Sequence, residues 1–128
     1  MPQFTKGELE IMRILWREGD LKPAEIQERF PWQITNSSLR SYLTILSDKG
    51  HLARKKVGKA YLYRAKTKRD SAFRTMLREL TRVCCDDSVE NLLCRLIRTQ
   101  KLSEEDLIEL KRLADEGEAD SDAKGRKR

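Results

Sequence analysis

At Gly50 the hydrophobic pattern of this chain changes its period, and that change limits the folds open to it. Before it, in TNSSLRSYLTILSDKG, Leu39, Leu43 and Leu46 recur at the spacing of one buried helical stripe. After it, HLARKK and AYLYRA alternate with a period near two, and Val57-Gly58-Lys59 between them is a glycine-containing hairpin turn. A helix delivered straight into a two-stranded ribbon is the result.

Two more helices precede that junction. Thr5 and Glu8 stand at capping-box spacing, and Phe4 with Leu9 forms a hydrophobic staple. From there Ile11, Met12, Leu15 and Trp16 carry a helix to Gly19, a natural left-handed stop. Pro23 suits the first position of a second helix, which ends at Phe30 before Pro31 and buries Ile26 with Phe30. Pro31-Trp32-Gln33-Ile34 then leads to the Thr35/Asn36 cap of the third helix. Three helices and a ribbon, in that order, make a winged helix-turn-helix.

From Thr67 the pattern is helical again. Thr67-x-x-Asp70 can cap a helix carrying Phe73, Met76, Leu77, Leu80 and Val83, which breaks at Cys84-Cys85-Asp86-Asp87. Asp87 or Ser88 can cap a second through Leu92, Leu93, Leu96 and Ile97, and Ser103 opens a third with Leu107, Leu110 and Leu113. These amphipathic stripes have little of their own to enclose, so a second copy of the chain is the expected cover. After Glu116 the apolar periodicity ceases, which predicts a disordered tail. The expected organisation is a mainly α chain with a small β-wing: a DNA-binding domain over 1–66, a helical dimerisation arm over 67–116, and a tail over 117–128.

Charge separates the two parts. Residues 1–66 hold 13 Lys/Arg against 7 Asp/Glu, whereas residues 67–128 hold 14 of each. From Leu39 to Lys66 there are 8 basic residues and one acid, Asp48, a local excess that suits a polyanionic partner. Ser37, Arg40, Ser41 and Thr44, with Ser38 beside them, share the face of the third helix opposite its leucines. Arg can donate two bonds to guanine O6 and N7, and Ser or Thr can bond bases or phosphates, so this face suits the major groove. Arg54, Lys55, Lys56 and Lys59 cluster at the hairpin tip, where they can hold the adjacent backbone.

Blander readings stand beside these. Lysines at a hairpin also guard against edge-to-edge pairing, and a basic wing can bind an acidic protein partner. Tyr61 and Tyr63 share one strand face, with core packing the commoner fate. Trp16 and Trp32 are expected to be core anchors, and His51 a surface residue. Ile45 lies on the outward side of the third helix, open to a thymine methyl, another helix or neither.

Catalysis finds no foothold: there is no glycine-rich phosphate loop, no paired carboxylates beyond helix charge patterning, and one isolated histidine. No cofactor is expected. Cys84, Cys85 and Cys94 match no CxxC metal spacing and form no disulfide framework. They read either as small apolar fillers of a reducing cytoplasm or as a group that binds a thiophilic metal or oxidises. No apolar run is long enough to span a membrane and no signal peptide stands at the start, so a cytoplasmic protein is expected.

ELEIMRILW, AEIQERF, LRSYLTILSDKGHL, VGKAYLYRAK and KLSEEDLIELKRL together resemble the penicillinase-repressor family over about residues 4–116. That resemblance implies a homodimeric repressor whose two winged helices occupy half-sites of a dyad operator while the C-terminal helices interlock. It places Ser37, Ser38, Arg40, Ser41 and Thr44 on the recognition helix and Lys59 near the wing tip. The chain also departs from the family pattern. Arg95-Leu96 stands where members released by a sensor protease carry an Asn-Phe cleavage pair, the paired CxC motifs of the copper-responsive branch are absent, Asn36 replaces a proline, and Ile45 replaces a commonly basic residue.

Overall fold

The computed structural model describes the backbone of residues 4–125 and the side chains of residues 4–117. In chain order it contains α1 (Lys6–Glu18), α2 (Pro23–Arg29), α3 (Asn36–Asp48), β1 (Leu52–Val57), β2 (Ala60–Ala65), α4 (Arg69–Cys85), α5 (Val89–Gln100) and α6 (Glu104–Gly125). They divide into two compact units, Met1–Arg74 and Thr75–Arg128.

In the first unit α1, α2 and α3 pack on one another and on the ribbon. The core is a single cluster built from Ile11, Met12, Ile14, Leu15, Leu21, Ile26, Phe30, Leu39, Leu43, Leu46, Leu52 and Tyr63. Burying one such aliphatic side chain stabilises by about 1.5–3 kcal/mol, which is what holds three short helices that would not persist alone. The start of α1 is fixed as its spacing predicts: the Thr5 hydroxyl accepts from the Glu8 N–H at 3.3 Å and the Glu8 carboxylate accepts from the Thr5 N–H at 3.2 Å. Gly19 ends the helix at φ 88, where a side chain would strain the backbone. Gly7 has a different reason to lack a side chain, since a Cβ there would stand 2.3 Å from the Tyr42 ring carbon Cζ, so the close approach of α1 to α3 depends on it.

The ribbon is an antiparallel hairpin with Leu52 opposite Ala65 and Val57 opposite Ala60. Its two-residue loop has Gly58 at φ 65, the positive value that primed hairpin turns require at their first position. Leu21 adds an isolated antiparallel bridge to it, its N–H donating to the Tyr63 carbonyl at 3.1 Å and its carbonyl accepting from the Tyr63 N–H at 2.8 Å.

Two side chains sit other than expected. His51 is buried, 6% exposed, rather than on the surface: its backbone N–H donates to the Leu46 carbonyl at 2.9 Å, which turns the chain back at Gly50 and seats the imidazole beside Phe4, ring centroids 4.6 Å apart. Trp32 is 38% exposed rather than a core anchor, because Phe30 takes the core place and Trp32 packs edge-on against it. Trp16 does border the core, and its indole N–H donates to the Thr67 carbonyl at 2.8 Å.

In the second unit the break after Cys84-Cys85 is made by Asp86 and Asp87, both with positive φ. Ser88 caps α5, accepting from the Asn91 N–H at 3.0 Å. Ser103 and Asp106 form a reciprocal cap at the start of α6. Cys85 is buried, whereas Cys84 and Cys94 are exposed. Helix α6 runs to Gly125, so 117–125 are helical where a disordered tail was expected, and 126–128 lie outside the described residues. No helix among the described residues is long and apolar enough to cross a membrane, and no group of three or more His, Cys, Asp or Glu there is arranged to hold a metal ion.

Candidate nucleic-acid interface

Helix α3 is divided lengthwise. Leu39, Leu43 and Leu46 are buried to within about one per cent, which fixes the rotation of the helix and leaves Asn36, Ser37, Ser38, Arg40, Ser41, Thr44 and Ile45 exposed together. Thr35 caps the helix by accepting from the Ser38 N–H at 3.1 Å. The first turn contains no acidic residue, although the helix dipole would reward one there. Seryl hydroxyls and peptide N–H groups stand in that place, which is the arrangement that receives an anion rather than supplies one.

Arg40 is the one cation on this exposed face. Its Nε donates to the Asn36 side-chain oxygen at 2.9 Å. Lys49, at the helix exit, is engaged elsewhere, its Nζ lying 3.1 Å from the carboxylate of the buried Glu8.

The pleat sorts the cations of the wing onto two faces. Arg54 is paired with Tyr63 and Lys56 with Tyr61, so these four share the face that carries buried Tyr63. The Arg54 guanidinium lies 4.1 Å over the Tyr61 ring and Lys56 Nζ lies 6.0 Å from it. A side-chain hydrogen bond to Tyr63 raises the Arg54 pKa further above its ordinary value. Arg54 is therefore oriented by two tyrosines and is not a free surface charge. Lys55 projects from the other face, where with Asp20, Ala53, Leu62 and Arg64 it borders a depression that Arg54 also helps to line. Lys59 is exposed in the loop between the strands.

Each residue singled out for DNA contact thus lies exposed on α3 or the wing, yet the wing set does not converge on one face. Two further relations come from the geometry. Arg64 belongs with Lys55, a relation that period-two alternation across the hairpin register contains once Ala53 is paired with Arg64. Asn36, expected at the helix cap and at the start of the recognition helix, also pairs with Arg40, and the four-residue spacing between them is the sequence signal.

A family model described as Penicillinase repressor matches residues 4–116. An uncharacterized 16.5 kDa protein from Latilactobacillus sakei is 27% identical over 115 residues, which is 87% of this chain and 77% of that relative. Among solved structures, YusO from Bacillus subtilis superposes with a TM-score of 0.56 at 19% identity, covering 88% of this chain and 73% of its own. A transcriptional regulator from Thermotoga maritima gives a TM-score of 0.56 at 16% identity over 98% of this chain and 81% of its own. At those identities the two structures speak to the fold alone.

Proposed function

The chain belongs to the penicillinase repressor family of winged-helix transcriptional regulators, and on that premise we propose that it works as a homodimeric repressor. Two copies place α3 and the wing on the half-sites of a dyad-symmetric operator and exclude transcription from it. The observation that carries this reading is the exposed face of α3, free of acids until Asp48 in its last turn, with Ser37, Ser38, Arg40, Ser41 and Thr44 presented together next to a basic hairpin.

In the major groove Arg40 offers paired donors to guanine, and the hydroxyls reach bases or phosphates. Lys55, Lys56, Lys59 and Arg64 neutralise backbone charge and release counterions, which supplies affinity without sequence information. Arg54, braced on Tyr61, holds the wing's own shape as much as it meets phosphate.

Support for a second copy comes from the arm. Helices α4, α5 and α6 do not pack extensively on one another, and they leave Met76, Leu77, Leu80, Val83, Leu93, Leu96, Leu107, Leu110 and Leu113 exposed. Leu92 and Ile97 are only half-buried. Apolar surface repeated on three helices is a protein interface in search of its cover, and a twofold partner carrying the same stripes supplies a matching one.

The test is stoichiometry and footprint on a duplex selected by the protein from a random pool. Two chains per duplex, protecting two blocks related by a dyad about one or two helical turns apart, are expected. One chain protecting one block contradicts the reading and favours a winged-helix module whose basic wing takes an acidic protein.

A further inference from the structure

The Asn36–Arg40 hydrogen bond carries a consequence for how a base is read. An arginine has five N–H donors in a fixed fork, and two geometries present a pair of them to guanine O6 and N7: both Nη groups end-on, or Nε with one Nη side-on. Here Nε already donates to the Asn36 amide oxygen at 2.9 Å, one helical turn back on the same exposed face. Only the Nη pair is left pointing outward. No acidic residue occupies the first turn of α3 to draw the guanidinium aside.

We infer that Asn36 is a positioning residue for Arg40, holding the guanidinium so that it reads guanine end-on through its two Nη groups. The inference rests on the repressor reading above and deepens it. An uncharged amide is the chemistry the task needs: aspartate at the same place would accept the same bond but would neutralise the guanidinium and repel the phosphates flanking the groove. Holding the side chain beforehand also removes part of the rotamer entropy that a free arginine loses on binding.

The same four-residue pairing occurs in α5 of the other unit, where Arg95 Nε donates to the Asn91 oxygen at 2.9 Å, and it supplies an internal control. The experiment measures binding of the full chain to its selected duplex, to single-base variants of that duplex and to random duplex. The proteins are Asn36→Ala, Asn36→Gln, Arg40→Ala, Asn36→Ala with Arg40→Ala, and Asn91→Ala. Asn36→Ala is expected to lose about 3- to 10-fold of the preference for guanine at one position of each half-site, the size of one hydrogen bond's net effect. Random-duplex binding should stay unchanged, Asn36→Gln should recover part of the preference, Asn91→Ala should lose none, and the double variant should bind no worse than Arg40→Ala.

An equal loss from Asn36→Ala in the Arg40→Ala background means that Asn36 meets DNA directly, and the positioning role is overturned while the repressor reading survives. A uniform weakening on every duplex overturns it in the same way. If Arg40→Ala itself leaves base preference intact, the recognition role of α3 falls and the positioning role falls with it.

Discussion

Lys49 Nζ lies 3.1 Å from Glu8 Oε1, which ties the exit of α3 to the first turn of α1. The two ends of this pair are not equivalent, since the Glu8 side chain is 3% exposed and that of Lys49 is 34%. Lys49→Met strands a buried carboxylate and should lower unfolding free energy by about 1–3 kcal/mol. Glu8→Gln retains an amide oxygen for the Thr5 N–H and leaves the lysine able to reach water, so it should cost less. Urea unfolding of both variants checks the order, and a larger loss in Glu8→Gln would contradict the inequality of the two ends.

His51 sets a pH dependence of stability. Burial, followed by the nearby Lys49 charge, lowers its pKa, with Glu8 pulling the other way. Its Nδ1 lies 2.7 Å from the Thr67 hydroxyl oxygen, and Nε2 is buried without a partner. A pKa lower in the folded than in the unfolded chain means that the unfolded chain takes up the proton first. The contribution is therefore fully present above the unfolded value of about 6.5 and is lost as pH falls from there through the lower folded value. Thermal melts at pH 7.5 and pH 5.5 should differ in the wild type and differ less in His51→Gln; equal differences would remove His51 as the cause.

Arg40→Ala and Lys56→Ala should separate reading from holding. The first is expected to cost about 1–3 kcal/mol on the selected duplex and to relax preference at one base, and the second to weaken all duplexes alike and reduce the salt slope by about one. Titrations at several salt concentrations distinguish them. Matching behaviour of the two would deny α3 its special role.

Leu96 is 49% exposed on α5 in line with Leu93. Leu96→Asp places an uncompensated charge in the proposed interface between copies and should dissociate the dimer, together with cooperative occupation of half-sites. Sedimentation velocity reads the mass directly, and an unaltered dimer would move the interface off this stripe.

Much of this was legible from residue spacing. Thr5 with Glu8, the leucines of α3 and the alternation either side of Gly58 are local signals, and local signals fix elements. What escaped depends on three-dimensional closure. His51 looks like a surface residue until the turn at Gly50 folds it beside Phe4, and Trp32 looks like a core anchor until Phe30, two residues earlier, has taken the place. The helix beyond Glu116 carries no apolar stripe, so the period that reveals the other helices is absent there. Helix periodicity is enough to put the α3 residues on one exposed face, whereas the division of the wing cations between two faces requires the strand register.

The central claim is that α3 and the wing form a surface made for duplex DNA of a particular sequence. Affinity for the selected duplex and for random duplex, measured across salt, tests it most directly. The account predicts markedly tighter binding to the selected duplex, with the logarithm of affinity falling against log salt by about 0.9 for each phosphate contacted. Equal micromolar affinity for both duplexes at every salt concentration would contradict it.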